Sequence, residues 1–238
     1  AAQGDLGMSY SAKKPVVDRM LEALPGTVML AGTALVFTLL YALPAGIISA
    51  VNRNKWVDYV LRSLSFVGVS MPSFWLGLVL IYIFGLKLGL VPIATSRITP
   101  IGVILPAATL AVVIGSKYMR QVRLVILEEM EKDYVIGARA RGVSEMKILF
   151  GHILPNAVLP LITILGVVMG WLLGGVAVVE MVFSWPGLGN MAVYAITMRD
   201  YPLIEGFVLW VDLAYMCINA LIDASYVLLD PRLKRERA

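Results

Sequence analysis

Five apolar runs constrain this chain more than any other feature. They cover roughly residues 26–51, 57–84, 101–122, 156–179 and 203–229. Each is long enough to cross a bilayer as a helix, which takes about 20 residues. Apolar residues make up 59% of the 238 and charged residues 15%, a balance far from that of soluble domains. The runs therefore predict an all-α membrane protein with five spans. The second run is interrupted at Ser70-Met71-Pro72, where proline removes an amide hydrogen bond and kinks a helix. A broken helix of this kind lines a cavity or simply packs, and both readings stay open for Ser70 and Pro72. The lone Cys217 excludes an intrachain disulfide and reads as a buried thiol in a membrane helix.

Lysine and arginine placement predicts the orientation. One side of the membrane receives Lys13, Lys14, Arg19, Lys87, Arg97 and Arg199. The other receives Arg53, Lys55, Arg62, the basic residues from Lys117 to Lys147, and Arg232, Lys234, Arg235 and Arg237. The second set is more than twice as large, so the positive-inside rule puts it in the cytoplasm and the N-terminus outside. Basic loops beside anionic lipid account for the net charge of +4 without nucleic acid. Residues 1–25 read as an external segment ahead of the first span, 26–230 as the membrane domain and 231–238 as a cytoplasmic tail. The first 25 residues show no charged region followed by an apolar stretch and a cleavage site. An outside N-terminus without such a signal leads us to expect an upstream membrane helix.

The cytoplasmic loop at 123–155 is the richest in local signals. Residues 133–141 favour a helix, with Ala138 and Ala140 small enough for close approach of a partner. Gly142 stops that helix and lets the chain turn. Ser144 is placed to cap a second helix running toward Pro155, and Pro155 is expected to start the next span. A short helix with basic and apolar faces suits insertion into a groove on a soluble partner, or rest on lipid.

These residues resemble the coupling loop of permease subunits from bacterial ABC importers. The family pattern is Glu-Ala-Ala, three residues, Gly, nine residues, then Ile-x-Leu-Pro. Ala138, Gly142 and Leu154-Pro155 match it; Ile136, Gly137 and His152 depart from it. The departures resemble the dipeptide, oligopeptide and nickel subfamily, which Asp133, Tyr134, Ala138, Arg139, Ala140, Gly142, His152, Leu154, Asn156 and Ala157 fit. The similarity extends through GDLGMS near the start, SMPSFWLGL from Ser70, FSWPGLG from Phe183, RDYPLIEGF from Arg199 and LDPRLK at the end.

The resemblance implies the transmembrane bundle of a type I ABC importer, with the family's first, sixth helix missing here. It implies a second homologous permease, two ATP-binding subunits that carry ATP and Mg, an extracytoplasmic solute-binding protein, and residence in the bacterial cytoplasmic membrane. Alternating access would follow from closure of the ATPase dimer on two coupling helices. The chain holds no Gly-x-x-x-x-Gly-Lys-Ser/Thr loop, so hydrolysis is expected on partner subunits and no cofactor on this chain. Nickel, free or chelated, is the expected cargo, with di- or oligopeptides as the alternative.

Other candidates stand beside plainer readings. His152 is the single histidine and a poor metal site by itself, so a structural role is expected. Asp212, inside the last run, is the best candidate for a pathway acid. Glu180 lies at the outer end of the preceding run and is pathway-lining or interfacial. Met181, with Met191 and Met198, offers thioethers to a soft metal or flexible packing. No paired carboxylates or Ser/His pair suggests an intramembrane enzyme. A structural or assembly protein would leave the coupling-loop match unexplained.

Overall fold

The computed structural model describes residues 5–174 and 176–229; the proposed tail at 231–238 and nearly all of the LDPRLK segment lie outside them. Among the described residues the chain is helical, with one isolated bridge between Met8 and Pro15. In chain order the helices are α1 (Val16–Val51), α2 (Trp56–Ser70), α3 (Ser73–Leu80), α4 (Ile104–Met130), α5 (Asp133–Ala140), α6 (Glu145–Ile148), α7 (Leu154–Leu173), α8 (Ala177–Val182), α9 (Leu188–Thr197) and α10 (Tyr201–Leu229). A π-helical stretch, Ile81–Lys87, extends α3, and a second, Leu149–Ile153, joins α6 to α7.

Among the described residues, three helices are long and apolar enough to cross a membrane: Val16–Val51, Glu145–Leu173 and Tyr201–Ser225. A fourth follows if the sharply bent pair α2 and α3 forms one span. The break falls at the expected place, with α2 ending at Ser70 and Pro72 at the N-cap of α3. The third predicted run lies in α4, which does not pass the same test. Its second half carries Lys117, Arg120 and Arg123, and those charges dilute its apolar character.

The chain forms two compact units. The first comprises residues up to 37, 71–113 and 168–218. Its core includes Val16, Met20, Leu188, Met191, Ala195 and Leu203, with Leu24 against it. Val16, Met20 and Leu24 recur every four residues on one face of α1. This stripe explains why α1 starts at Val16 and not near residue 26. On the outer face of this stretch Glu22 pairs with both Arg19 and Lys14.

Asp200 anchors the segment before α1 to the start of α10. Ser9 Oγ donates to its Oδ2 at 2.6 Å, Ser11 N at 2.9 Å and Ser11 Oγ at 2.7 Å. Asp200 also precedes the first residue of α10 as its cap, accepting Ile204 N on its carbonyl at 3.1 Å. Burial by itself would raise the carboxyl pKa, but the bonds from Ser9 and Ser11 outweigh it and hold the group well below the usual carboxylate range. A depressed folded-state pKa contributes stability above the unfolded value and loses it as pH falls. Asp200→Asn is therefore expected to cost about 1.5–3 kcal/mol at neutral pH. The gap from wild type should close as pH drops below about 4, the unfolded carboxylate value. Thermal unfolding of both proteins across pH checks this, and a gap that stays constant down to pH 3 would contradict it.

The second unit comprises residues 38–70, 114–167 and those from 219 on. Ala42 and Ala50 of α1, Tyr118, Met119, Val122 and Ile126 of α4, and Ala157 and Leu161 of α7 build its core. Gly46 has no room for a side chain, since a Cβ there would meet Val122 at 2.7 Å and the Met119 carbonyl at 2.8 Å. In α10, Cys217 is exposed and not buried as expected, because little of Tyr201–Ser225 is covered by the rest of the chain.

Candidate coupling loop and pathway residues

The loop predicted between two helices is built in the second unit by α5, a turn and α6. Gly142 adopts φ +77, in the left-handed region that glycine enters without strain. Val143 N donates to the Ala138 carbonyl at 3.2 Å and Gly142 N to the Arg139 carbonyl at 2.9 Å. These paired bonds form a Schellman motif that satisfies the open carbonyls of α5. Arg139 then bridges the turn, its Nε and Nη2 donating to Glu145 Oε1 and Oε2 at 2.8 and 3.1 Å. Ser144 occupies the N-cap of α6, with its carbonyl accepting Ile148 N at 3.0 Å. Its side chain makes no capping bond, so its place was legible and its bond was not.

The inner face of this loop is part of the core. Val135, Ala138, Ile148, Leu149, Ile153 and Ala157 are buried together, with Tyr134, Val143 and Leu154 packed against them. Ala138 thus faces its own chain and not a partner, whereas Ala140 is exposed. Tyr134 reaches α4, its Oη donating to Glu129 Oε2 at 2.6 Å, and Lys132 pairs with the other oxygen of the same carboxylate. Burial and the bond to Glu129 push the Tyr134 hydroxyl up to about 12, with Asn156 opposing. Glu129, which receives both groups, was not singled out in the sequence.

Pro155 does not begin a span. The helix runs from Glu145 through Leu173 and widens at Leu149–Ile153, where Leu154 N bonds to the Leu149 carbonyl five residues back. Proline cannot donate, and its ring crowds the preceding turn; a π-helical turn beside it accommodates both effects. His152 is exposed and its carbonyl accepts Asn156 Nδ2 at 2.8 Å.

The outer face carries Asp133, Ala140, Arg141 and Lys147 together with three large exposed apolar residues, Ile136, Met146 and Phe150. Ile136 stands out in the sequence only as a departure from the family pattern, and Met146 and Phe150 carry no motif. Their signal was an apolar residue inside a polar, basic loop, where burial in the chain's own core is not the only use of it.

The pathway candidates have varied settings. Ser70 is exposed and turns its hydroxyl to the Phe66 carbonyl at 2.8 Å. Pro72, Asp212 and Met181 are exposed. Glu180 is fully buried in the first unit. Thr27 Oγ1 donates to its Oε1 at 3.0 Å and Asn190 N to its Oε2 at 2.8 Å. Burial raises its pKa, with the Asn190 and Thr27 bonds opposing. Beside it, Trp185 is fully buried and its Nε1 donates to the Gly26 carbonyl at 2.8 Å. The FSWPGLG segment thus packs α8 and α9 on α1, and Glu180 belongs to that joint. Among the described residues, no group of three or more His, Cys, Asp or Glu is arranged to hold a metal ion.

The fold is thus that of a helical membrane protein whose α5–turn–α6 segment leaves several large apolar residues exposed. Residues 42–235 match the family described as the binding-protein-dependent transport system inner membrane component. The glutathione transport system permease protein GsiC of Escherichia coli strain CFT073 is 38% identical over 234 residues, 98% of this chain and 76% of that protein. GsiC of E. coli K12 is 37% identical over the same shares. Among solved structures, the MetNI methionine ABC transporter in inward facing conformations superposes with a TM-score of 0.70 at 21% identity, covering 89% of this chain and 96% of that one. An amino acid ABC transporter with histidines gives 0.67 at 17% identity, over 87% and 92%. The chain belongs to the binding-protein-dependent permease family, and it is an inner-membrane permease subunit of an ABC importer.

Proposed function

We propose that this permease imports small peptides, with glutathione as the first compound to test, and that its α5–α6 loop docks in a cleft of an ATP-binding subunit. The observation that carries the docking reading is the loop's construction. Its inner face is fixed in the core, while Ile136, Met146 and Phe150 lie exposed beside Arg141 and Lys147. Asp133, Arg139, Ala140, Gly142, His152 and Pro155 would sit at or beside that contact. Tyr134, Ala138 and Leu154 would hold it from within. A second permease, two ATPase subunits with their ATP and Mg, and an external binding protein complete the machine. The loop faces the cytoplasm in this reading, and Ser70, Pro72, Met181 and Asp212 remain the candidates for lining the path.

Peptide cargo is favoured over nickel by the named relatives, which are glutathione permeases. Metal import was the first expectation from sequence, and no observation now favours it.

One reconstitution tests both halves. The complete complex in liposomes is expected to take up labelled glutathione only with internal ATP and binding protein, with excess glutathione competing and nickel not. ATP-driven nickel uptake without peptide transport would overturn the cargo assignment. In the same system Gly142→Val is expected to release the ATPase subunits, because a β-branched residue at φ +77 is strained by about 1–2 kcal/mol. A Cβ at Gly142 meets nothing within 4 Å, so the effect is one of backbone and Gly142→Asn should retain docking. Equal retention of the ATPase by both variants would remove the loop from the docking role.

A further inference from the structure

We propose that Asp58 and Arg123 form a latch that makes the α1–α2 elbow and the coupling loop move as one body. The inference rests on the docking role proposed above for that loop. Asp58 is completely buried, and the Arg123 side chain is 14% exposed. Arg123 Nε donates to Oδ1 at 2.8 Å and Nη2 to Oδ2 at 2.9 Å, a bidentate fork. Ser49 Oγ adds a bond to Oδ1 at 2.6 Å, and Asn54 N one to Oδ2 at 3.0 Å. One carboxylate therefore ties together the end of α1, the turn after it, the first turn of α2 and the C-terminal third of α4.

The same α4 carries the coupling loop. Six residues beyond Arg123, about 9 Å along the helix, Glu129 receives Tyr134 from α5 and Lys132 from the junction. On the surface, Arg53 of the elbow pairs with Glu131 at 2.6 Å. The elbow is thus joined to α4 on the buried side and to the turn that follows α4 on the exposed side, and the loop is joined to α4 directly. Apolar residues could fill the Asp58–Arg123 space at no cost in stability, because buried ion pairs commonly match or lose to apolar packing. What a bidentate pair adds is direction: it fixes relative orientation, which shape-tolerant apolar contacts do not. Arg123 and Asp58 are accordingly positioning residues. They deliver displacement of the docked loop to α1 and α2 and not to α4 by itself.

The test measures that rigidity in the assembled importer. Spin labels are placed at Lys55→Cys in the elbow and Ser144→Cys in the loop, both exposed, on a Cys217→Ser background. The wild-type distance is expected to be the same without nucleotide and with ATP bound. In Asp58→Leu/Arg123→Met, ATP is expected to produce a second distance population. ATP hydrolysis should also become about tenfold less dependent on loaded binding protein, the scale of ordinary coupling between sites. A wild-type distance that shifts with ATP overturns the latch, as does a double variant that stays rigid and fully coupled. If the double variant fails to assemble, Arg123→Lys, which keeps the charge and loses the fork, is judged by the same two readouts. Failure of the ATPase subunits to bind the wild-type chain would instead defeat the docking role itself.

Discussion

Trp185→Ala is expected to cost about 3–5 kcal/mol of stability, the range for emptying a large aromatic site in a core. The indole is fully buried and its Nε1 bond to the Gly26 carbonyl at 2.8 Å ties the α8–α9 corner to α1. Its own carbonyl accepts Asn190 Nδ2 at 3.0 Å. The preceding Ser184 is held at φ 51, a conformation that persists only where neighbours over-determine it. Removing the ring withdraws that support and takes from the Gly26 carbonyl its bond across to the corner. Trp185→Phe keeps most of the volume and should recover at least half of the loss. Chemical unfolding of the purified protein in detergent measures both; a loss below about 1 kcal/mol for the alanine variant would deny the anchor role.

Gly26→Ala attacks the same joint from the opposite direction. A Cβ at Gly26 would lie 2.1 Å from the Pro186 carbonyl oxygen and 2.9 Å from its carbon. Those are backbone atoms and cannot rotate away, so α1 or the corner must shift. Overpacking of this kind costs about 1–3 kcal/mol and occasionally more. Because the obstacle is the Pro186 backbone and not the indole, emptying the Trp185 site should not rescue it. Gly26→Ala/Trp185→Ala is therefore expected to be less stable than either single variant. A double variant more stable than Gly26→Ala would place the clash at the ring. Loss of assembly in both singles, with the coupling loop untouched, would separate this joint's role from docking.

The spans and the loop were legible for different reasons. Long apolar runs answer to a single constraint, the thickness of hydrocarbon, and need no tertiary information. The α5–turn–α6 unit was visible because Gly142 and Ser144 are local signals, read by the backbone within a few residues. The N-terminal end of α1 was not legible because Asp18, Arg19 and Glu22 interrupt an apolar stripe whose partners, Leu188 and Leu203, are more than 150 residues away. Ala138 was assigned to a partner because smallness reports close approach without saying to what. Glu180 shows the same limit for charge. A carboxylate near the end of a run reads as pathway-lining or interfacial, and the structure buries it among bonds from Thr27 and Asn190. Asp58 and Arg123 carry no motif, and only their convergence from distant helices reveals them. The family resemblance identified the machine because its motifs occur in order along the chain.

The widened turn at Leu149–Ile153 sets the phase between the loop and the helix that follows it. A π-helical turn holds more residues than an α-turn, so it rotates everything downstream about the helix axis by a fixed angle. The face that α6 turns outward and the faces that α7 presents thus share one angular register along a continuous helix. Deleting a residue here would leave both helices intact and mistime them, like a gear moved by one tooth.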